Sequence, residues 1–255
     1  MIIYGLNPVT EALRADPARI HFIGVSRAGT SRPAGGSTAA ASEGKLQKLL
    51  SEARRLDVPV RQMPPEQLDR MAEGGVHNGV VADVSHVAYA DFDGILARAS
   101  TSFVLILDSI QDPQNFGAIL RVADGFGVHL VVIPEHESVG LTAVAVKASA
   151  GASEWVPVAQ VTNLARAIER LQKEGFWVYG SAGGGEPIDK TDFSGKVAIV
   201  LGNEGKGIRR NVLDHCDAKV SIPMLGHIES FNVATAAAVV CYEVQRQQRK
   251  KAREQ

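Results

Sequence analysis

An α/β chain built on a mostly parallel sheet is what this sequence predicts, and three observations predict it. Four near-continuous apolar runs, FVLILD (103–108), VHLVVIP (128–134), FWVYGSA (176–182) and VAIVLG (197–202), read as strands covered on both faces. Helical stretches lie between them, the alternation that puts helices on both sides of a parallel sheet. Residues 1–85 alternate in the same way over shorter segments, which predicts a separate small α/β domain. A linker over 86–101 and a second domain over 102–255 complete the expected plan.

In the first domain IIYG opens a strand, NPVTEALRA a helix and HFIGVS a second strand. Residues 27–44 are rich in Gly, Ser, Thr and Ala without periodicity and predict a loop. KLQKLLSEARRL is an amphipathic helix with Leu46, Leu49, Leu50 and Ala53 on one stripe. VPVRQM, PEQLDRMA and GVVADVS follow as strand, short helix and strand. In the second domain the helices are NFGAILRVADGFG, VGLTAVAVKASA and LARAIERLQKEG, the last ending at Gly175 as a cap. AKVSIP (218–223) is a final strand, and FNVATAAAVVCYEVQRQQRK a long final helix that is apolar nearly all round from Val233 to Tyr242, hence buried in the core or in a subunit interface.

The chain has 255 residues, with 27 Lys+Arg against 28 Asp+Glu, a net −1, so any nucleic acid must be held by local patches. The final fifteen residues and Arg209 with Arg210 are the basic candidates. Cys216 and Cys241 form no CxxC, and seven scattered histidines form no HExxH, so no metal is expected. The longest apolar run, 233–242, is well short of the ~20 residues a membrane span needs. No basic segment precedes the first apolar residues, so no signal peptide is expected and the protein reads as cytoplasmic.

Ligands of such sheets bind beyond the carboxyl ends of the strands, at the loops after LILD, VLG and SIP. In the first loop Asn115 is a natural helix cap, and Arg121 falls opposite the apolar stripe beside Gly117 and Asp124. Arg121 alone would read as a solvated partner of Asp124. The second loop, VLGNEGKGIRR, is neither a P-loop nor GxGxxG, which disfavours an ATPase or a nicotinamide enzyme. One carboxylate, Glu204, among exposed amides suits a neutral or cationic ligand better than a triphosphate. In the third loop Ser230 or Asn232 caps the last helix, and a Ser/His hydrolase pairing with His227 lacks GxSxG.

Taken jointly, DPQNFGAILRVADGFG (112–127), VLGNEGKGI (200–208) and SIPMLGHIESFNVATAAAVVCYE (221–243) closely resemble the three signature motifs of the SpoU/TrmH family of RNA ribose 2′-O-methyltransferases, in the SPOUT superfamily. IIYGLNPVTEAL and GVHNGVVADV resemble the substrate-binding domain carried by its large-subunit rRNA guanosine branch. The resemblance implies an S-adenosyl-L-methionine-dependent enzyme that methylates a ribose in 23S rRNA, an RNA-binding N-terminal domain, a deep C-terminal trefoil knot and a homodimer. It gives the reactive roles to Arg121, Asn115, Glu204, Ser230 and Asn232. Main-chain cofactor contacts fall at Gly202, Ile222 and Phe231, with Leu201, Met224 and Leu225 beside them. Phe231 stands where leucine is more usual. A tRNA ribose methylase and an antibiotic-resistance rRNA methylase remain alternatives, the N-terminal domain arguing against the first. An RNA-binding module with a dead site is disfavoured because all five reactive positions are filled.

Overall fold

A computed structural model describes residues 1–26 and 37–254, with side chains left undescribed at 37–42 and 252–254. The chain divides into two units, Met1–Ala88 with Leu141–Trp155, and Tyr89–Gly140 with Val156–Gln255.

The first unit is a four-stranded sheet. Its elements are β1 (Ile2–Tyr4), α1 (Leu6–Ala15), β2 (Ile20–Ser26), α2 (Ser37–Arg55), β3 (Val60–Met63), α3 (Pro65–Met71) and β4 (Val80–Val84). The order is β1-β4-β2-β3, antiparallel except for β2 with β3, which α2 connects as a crossover. Alternation along the strands sends Ile3, Ile23, Val80 and Ala82 to the face covered by α1 and α2, where Leu46, Leu49 and Ala53 pack and Leu50 is partly buried. Tyr4, Met63 and Val81 face the other way, against Leu68 of α3 and Ala72 at its C-terminal cap. The predicted loop 27–44 is helical from Ser37, because its alanines favour the helix that Leu46 and Leu49 anchor; residues 27–36 lie outside the described residues.

The segment Leu141–Trp155, which the sequence reading kept with 102–255, packs in this first unit. Its helix, Ala143–Ala148, buries Val146 in the core beneath α1 and α2, and Ala143 packs beside Tyr4. Arg19 donates to Glu154 at 2.6 Å, and Trp155 Nε1 donates to Glu11 at 3.1 Å. These anchors are spread along the whole segment.

The second unit carries α4 (Phe92–Leu96), β5 (Phe103–Asp108), α5 (Pro113–Gly125) and β6 (Leu130–Pro134). After the Ala143–Ala148 helix, α6, come β7 (Val158–Val161), α7 (Leu164–Lys173), β8 (Phe176–Pro187), β9 (Lys196–Gly202), α8 (Arg210–Leu213), β10 (Ala218–Ser221) and α9 (Val233–Glu254). All six strands are parallel, in the order β10-β8-β9-β5-β6-β7. Every residue of β5 and β6 is buried, as strands covered on both faces require. Ile95, Leu164, Ile168, Leu171 and Val212 cover one face, while α9 packs on α5 and β9.

Two expectations change here. VAQV is an additional edge strand, β7, and the 86–101 connector contains α4. The start of α9 is only partly covered in the single chain, with Val239 half-buried and Tyr242 58% exposed.

Candidate active site at the strand ends

Three loops leave the carboxyl edge of the second unit's sheet, and one carboxylate joins them. The first follows β5. Asp112, not Asn115, caps α5, accepting from the Gln114 and Asn115 backbone N–H groups at 3.0 and 3.4 Å. Pro113 fixes this start, since proline suits the first helical position and leaves the residue before it as cap. The Asn115 carboxamide is therefore free, and its Nδ2 donates to Glu204 Oε1 at 2.8 Å.

Asn232, at the end of the third loop, does two things. Its Oδ1 caps α9 by accepting from Ala234 N at 2.9 Å and Thr235 N at 3.4 Å. Its Nδ2 donates to Asn115 Oδ1 at 2.9 Å and to the same Glu204 oxygen. Val233 N also points at that oxygen, 3.4 Å away. A carboxylate at the start of α9 complements the helix dipole. Glu204 Oε2 has no partner among the described residues, so the group keeps an open acceptor.

The second loop, after β9, is stitched internally. Asn203 and Gly207 exchange backbone hydrogen bonds at 3.1 and 2.8 Å, and Asn203 Oδ1 accepts from Gly205 N. A Cβ on Gly202 would overlap the backbone of Gly207 and Ile208, so loop closure itself demands glycine there. Asn203 Nδ2 donates to Ser109 O at 3.1 Å. Asp108, wholly buried, accepts from Arg209 N and Arg209 Nε, each at 2.7 Å. Arg209 Nη1 also donates to Glu137 at 2.9 Å. Arg209 is thus committed to two carboxylates and is not a free basic contact, while Arg210 is 95% exposed.

The third loop differs. Among the described residues, positions 222–231 make no backbone hydrogen bond. Leu225 is fully exposed, Ile228 66% and Phe231 39%, whereas Ile222 and Met224 are partly buried. Leu201 and Gly202 end β9, Leu201 buried in the core.

Of the five reactive candidates, the structure brings Asn115, Glu204 and Asn232 into direct contact. Ser230 is exposed and makes no hydrogen bond, and Arg121 is exposed with no ion pair among the described residues. The rise of α5 puts Arg121 about 9 Å along the axis from Asn115. The expected Asp124 partner does not engage it. Gly117 is buried with Phe116 and Leu120, while Arg121, one turn further along the same side of α5, is exposed. Asp108, Asn203 and Arg209 were not singled out as site supports from sequence; the signal available was an acidic residue closing an otherwise apolar strand.

Burial pushes the Cys216 and Cys241 thiols up to about 12, so neither supplies a thiolate near neutral pH. Among the described residues no group of three His, Cys, Asp or Glu could hold a metal ion. In the first unit Tyr4 is core, whereas Phe22 is only half-buried, with the Arg61 guanidinium 4.2 Å above its ring.

Residues 102–242 match the family described as SpoU rRNA Methylase, and residues 2–90 match RNA 2′-O ribose methyltransferase substrate binding. The 23S rRNA (guanosine-2′-O-)-methyltransferase RlmB of Yersinia pestis is 38% identical over 255 residues, covering 98% of this chain and 99% of that protein. The protein of the same name from Coxiella burnetii is 39% identical, covering 96% and 95%. The SpoU methyltransferase AviRb from Streptomyces viridochromogenes, solved in complex with AdoMet, is similar in fold with a TM-score of 0.75. It is 24% identical, over 97% of this chain and 90% of that one.

Proposed function

The chain belongs to the SpoU rRNA methylase family, and from that premise we propose that it transfers the methyl group of S-adenosyl-L-methionine to the 2′-hydroxyl of a guanosine ribose in 23S rRNA. The observation that carries the reading is the Glu204 junction, which ties all three motif loops together. RlmB proteins named for this reaction match the chain over nearly its whole length.

The cofactor supplies, when bound, an electrophilic sulfonium methyl. The residues present fit it. Among the described residues the 222–231 main chain has polar groups without partners, and Leu225 and Phe231 offer apolar surface that a heterocycle would cover. Gly202, Leu201, Ile222 and Met224 border the same loops. Asn115, Glu204 and Asn232 form a pre-set acceptor and amide cluster that orients the ribose hydroxyl. Ser230 adds a hydroxyl that is free to meet substrate. The Arg121 guanidinium is a poor base. Its role is to hold the RNA phosphate and stabilise the oxyanion that develops as the hydroxyl proton leaves.

The reading extends to a trefoil knot formed by the C-terminal segment, a topology otherwise almost absent from proteins, and to a homodimer. The half-buried Val239, the exposed Tyr242 and Phe126, edge-on to Tyr242 at 6.4 Å, support a face covered by a second copy. Sedimentation at twice the chain mass checks the dimer. An rRNA substrate supports a cytoplasmic location for the enzyme, and among the described residues no helix is long and apolar enough to cross a membrane.

Mass-spectrometric mapping of ribose methylation in cells with and without the gene tests the whole reading. One guanosine of 23S rRNA should lose its 2′-O-methyl group. Loss confined to tRNA would redirect the substrate, and an unchanged methylation map would overturn the function.

A further inference from the structure

A cavity opens on the same carboxyl edge of the sheet, beyond the ends of β6 and β7. Its volume is about 260 Å³, and His136, Glu137, Thr162, Asn163, Arg209 and Asn211 are among its lining residues. It lies below the ~300 Å³ at which pockets begin to enclose drug-sized ligands, so it has room for one heterocycle rather than a whole cofactor. Its chemistry is polar but not cationic. The one buried charge beside it, Asp108, and the exposed Glu137 both pair with Arg209. The arithmetic of the trio is +1 − 2, a net −1, which disfavours a phosphate or a carboxylate as ligand. What the walls offer instead is a fixed guanidinium plane, an imidazole, a hydroxyl and two carboxamides. Asn163 Oδ1 is already used, capping α7 through Arg166 N at 3.1 Å, while its Nδ2 remains available.

We propose that this cavity receives a neutral nucleobase from the RNA strand, splayed out from a nucleotide next to the one that is methylated. The inference rests on the RNA reading above and deepens it. Guanidinium planes stack on bases, and side-chain amides and hydroxyls read their hydrogen-bonding edges. Position agrees with chemistry. Arg209 lies five residues after Glu204 in one loop, a span of at most about 17 Å for extended chain, and the Asn203–Gly207 pairing folds that loop back. One strand of RNA can therefore occupy both places. The Asp108 and Glu137 bonds hold the guanidinium plane in place before RNA arrives, so no ordering cost falls on binding.

Two measurements test it. Thr162 is exposed, so Thr162→Trp fills the cavity without disturbing the core. With a methylatable rRNA fragment this variant should raise the RNA KM at least tenfold, with the S-adenosyl-L-methionine Kd unchanged. In the second, isotope-labelled wild-type protein is titrated with the four nucleosides and, separately, with ribose 5-phosphate. Amide shifts at His136, Thr162 and Asn163 with a nucleoside, and not with the sugar phosphate, support the pocket. An unchanged KM in Thr162→Trp, or shifts confined to ribose 5-phosphate, overturns it. A wild-type protein that moves no methyl to any RNA yet shows nucleoside shifts would sink the proposed function and leave the pocket standing.

Discussion

The loops after β9 and β10 belong to one site and are built in opposite ways. Residues 203–209 are fastened at every turn: Asn203 to Gly207 and Ser109, Glu204 to Asn115 and Asn232, Arg209 to Asp108 and Glu137. Among the described residues, positions 222–231 have no main-chain hydrogen bond, and Leu225 lies wholly in water. The first loop is finished before any ligand arrives; the second has polar and apolar groups that only a ligand or a second chain can cover. A site for a reaction that needs in-line alignment benefits from both, a rigid side to fix the acceptor and an adaptable side to close on the donor.

The comparison can be broken at its strongest point. Glu204→Ala removes the acceptor shared by Asn115, Asn232 and the start of α9, and kcat should fall about a hundredfold, the scale seen when one aligned polar group is lost from a site. Near-normal kcat would mean the rigid loop is scaffolding only. Arg121→Lys keeps the charge but not the planar fork. We expect kcat to drop at least tenfold with cofactor affinity intact by calorimetry, and equal turnover would remove Arg121 from the chemistry.

Smaller effects sharpen the contrast. Asp108→Ala strands the Arg209 backbone N–H and guanidinium, and should lower stability by about 2–3 kcal/mol, below the ~3–5 kcal/mol of a fully buried broken pair because Arg209 is 44% exposed. Denaturant unfolding reads this directly. Leu225→Ser should change stability without ligand by less than about 0.5 kcal/mol. It should weaken cofactor binding about fivefold, equivalent to burying part of a leucine side chain. A stability loss without ligand would show the open loop to be packed after all.

Much of this arrangement is written locally. FVLILD and VAIVLG are unmistakable because strands buried on both faces have no polar period to hide them, and Leu46, Leu49 and Ala53 mark α2 by their spacing alone. The short edge strand VAQV escapes notice because it is four residues long, only half of it is buried, and it needs only β6 as partner. The cap of α5 was misplaced by three residues because Asn115 and Asp112 are both good caps, and the proline between them decides. The motif residues were legible, but the wiring among them was not. That Asn115, Glu204 and Asn232 meet, across 89 and 28 positions of chain, depends on which strands are neighbours. No local pattern encodes that order. Arg209 looks like a free basic group in the sequence for the same reason, since its partner Asp108 is 101 positions away.

The stretch Leu141–Trp155 matches the methylase family yet is held by the body that carries Arg19 and Glu11. Anyone excising the catalytic half at residue 102 would therefore take this ribbon without its seat. Val146 would emerge into solvent, Glu154 would lose its ion-pair partner Arg19, and the fragment should express as a sticky, protease-sensitive polypeptide until the first 88 residues are supplied, either in cis or as a separately made companion.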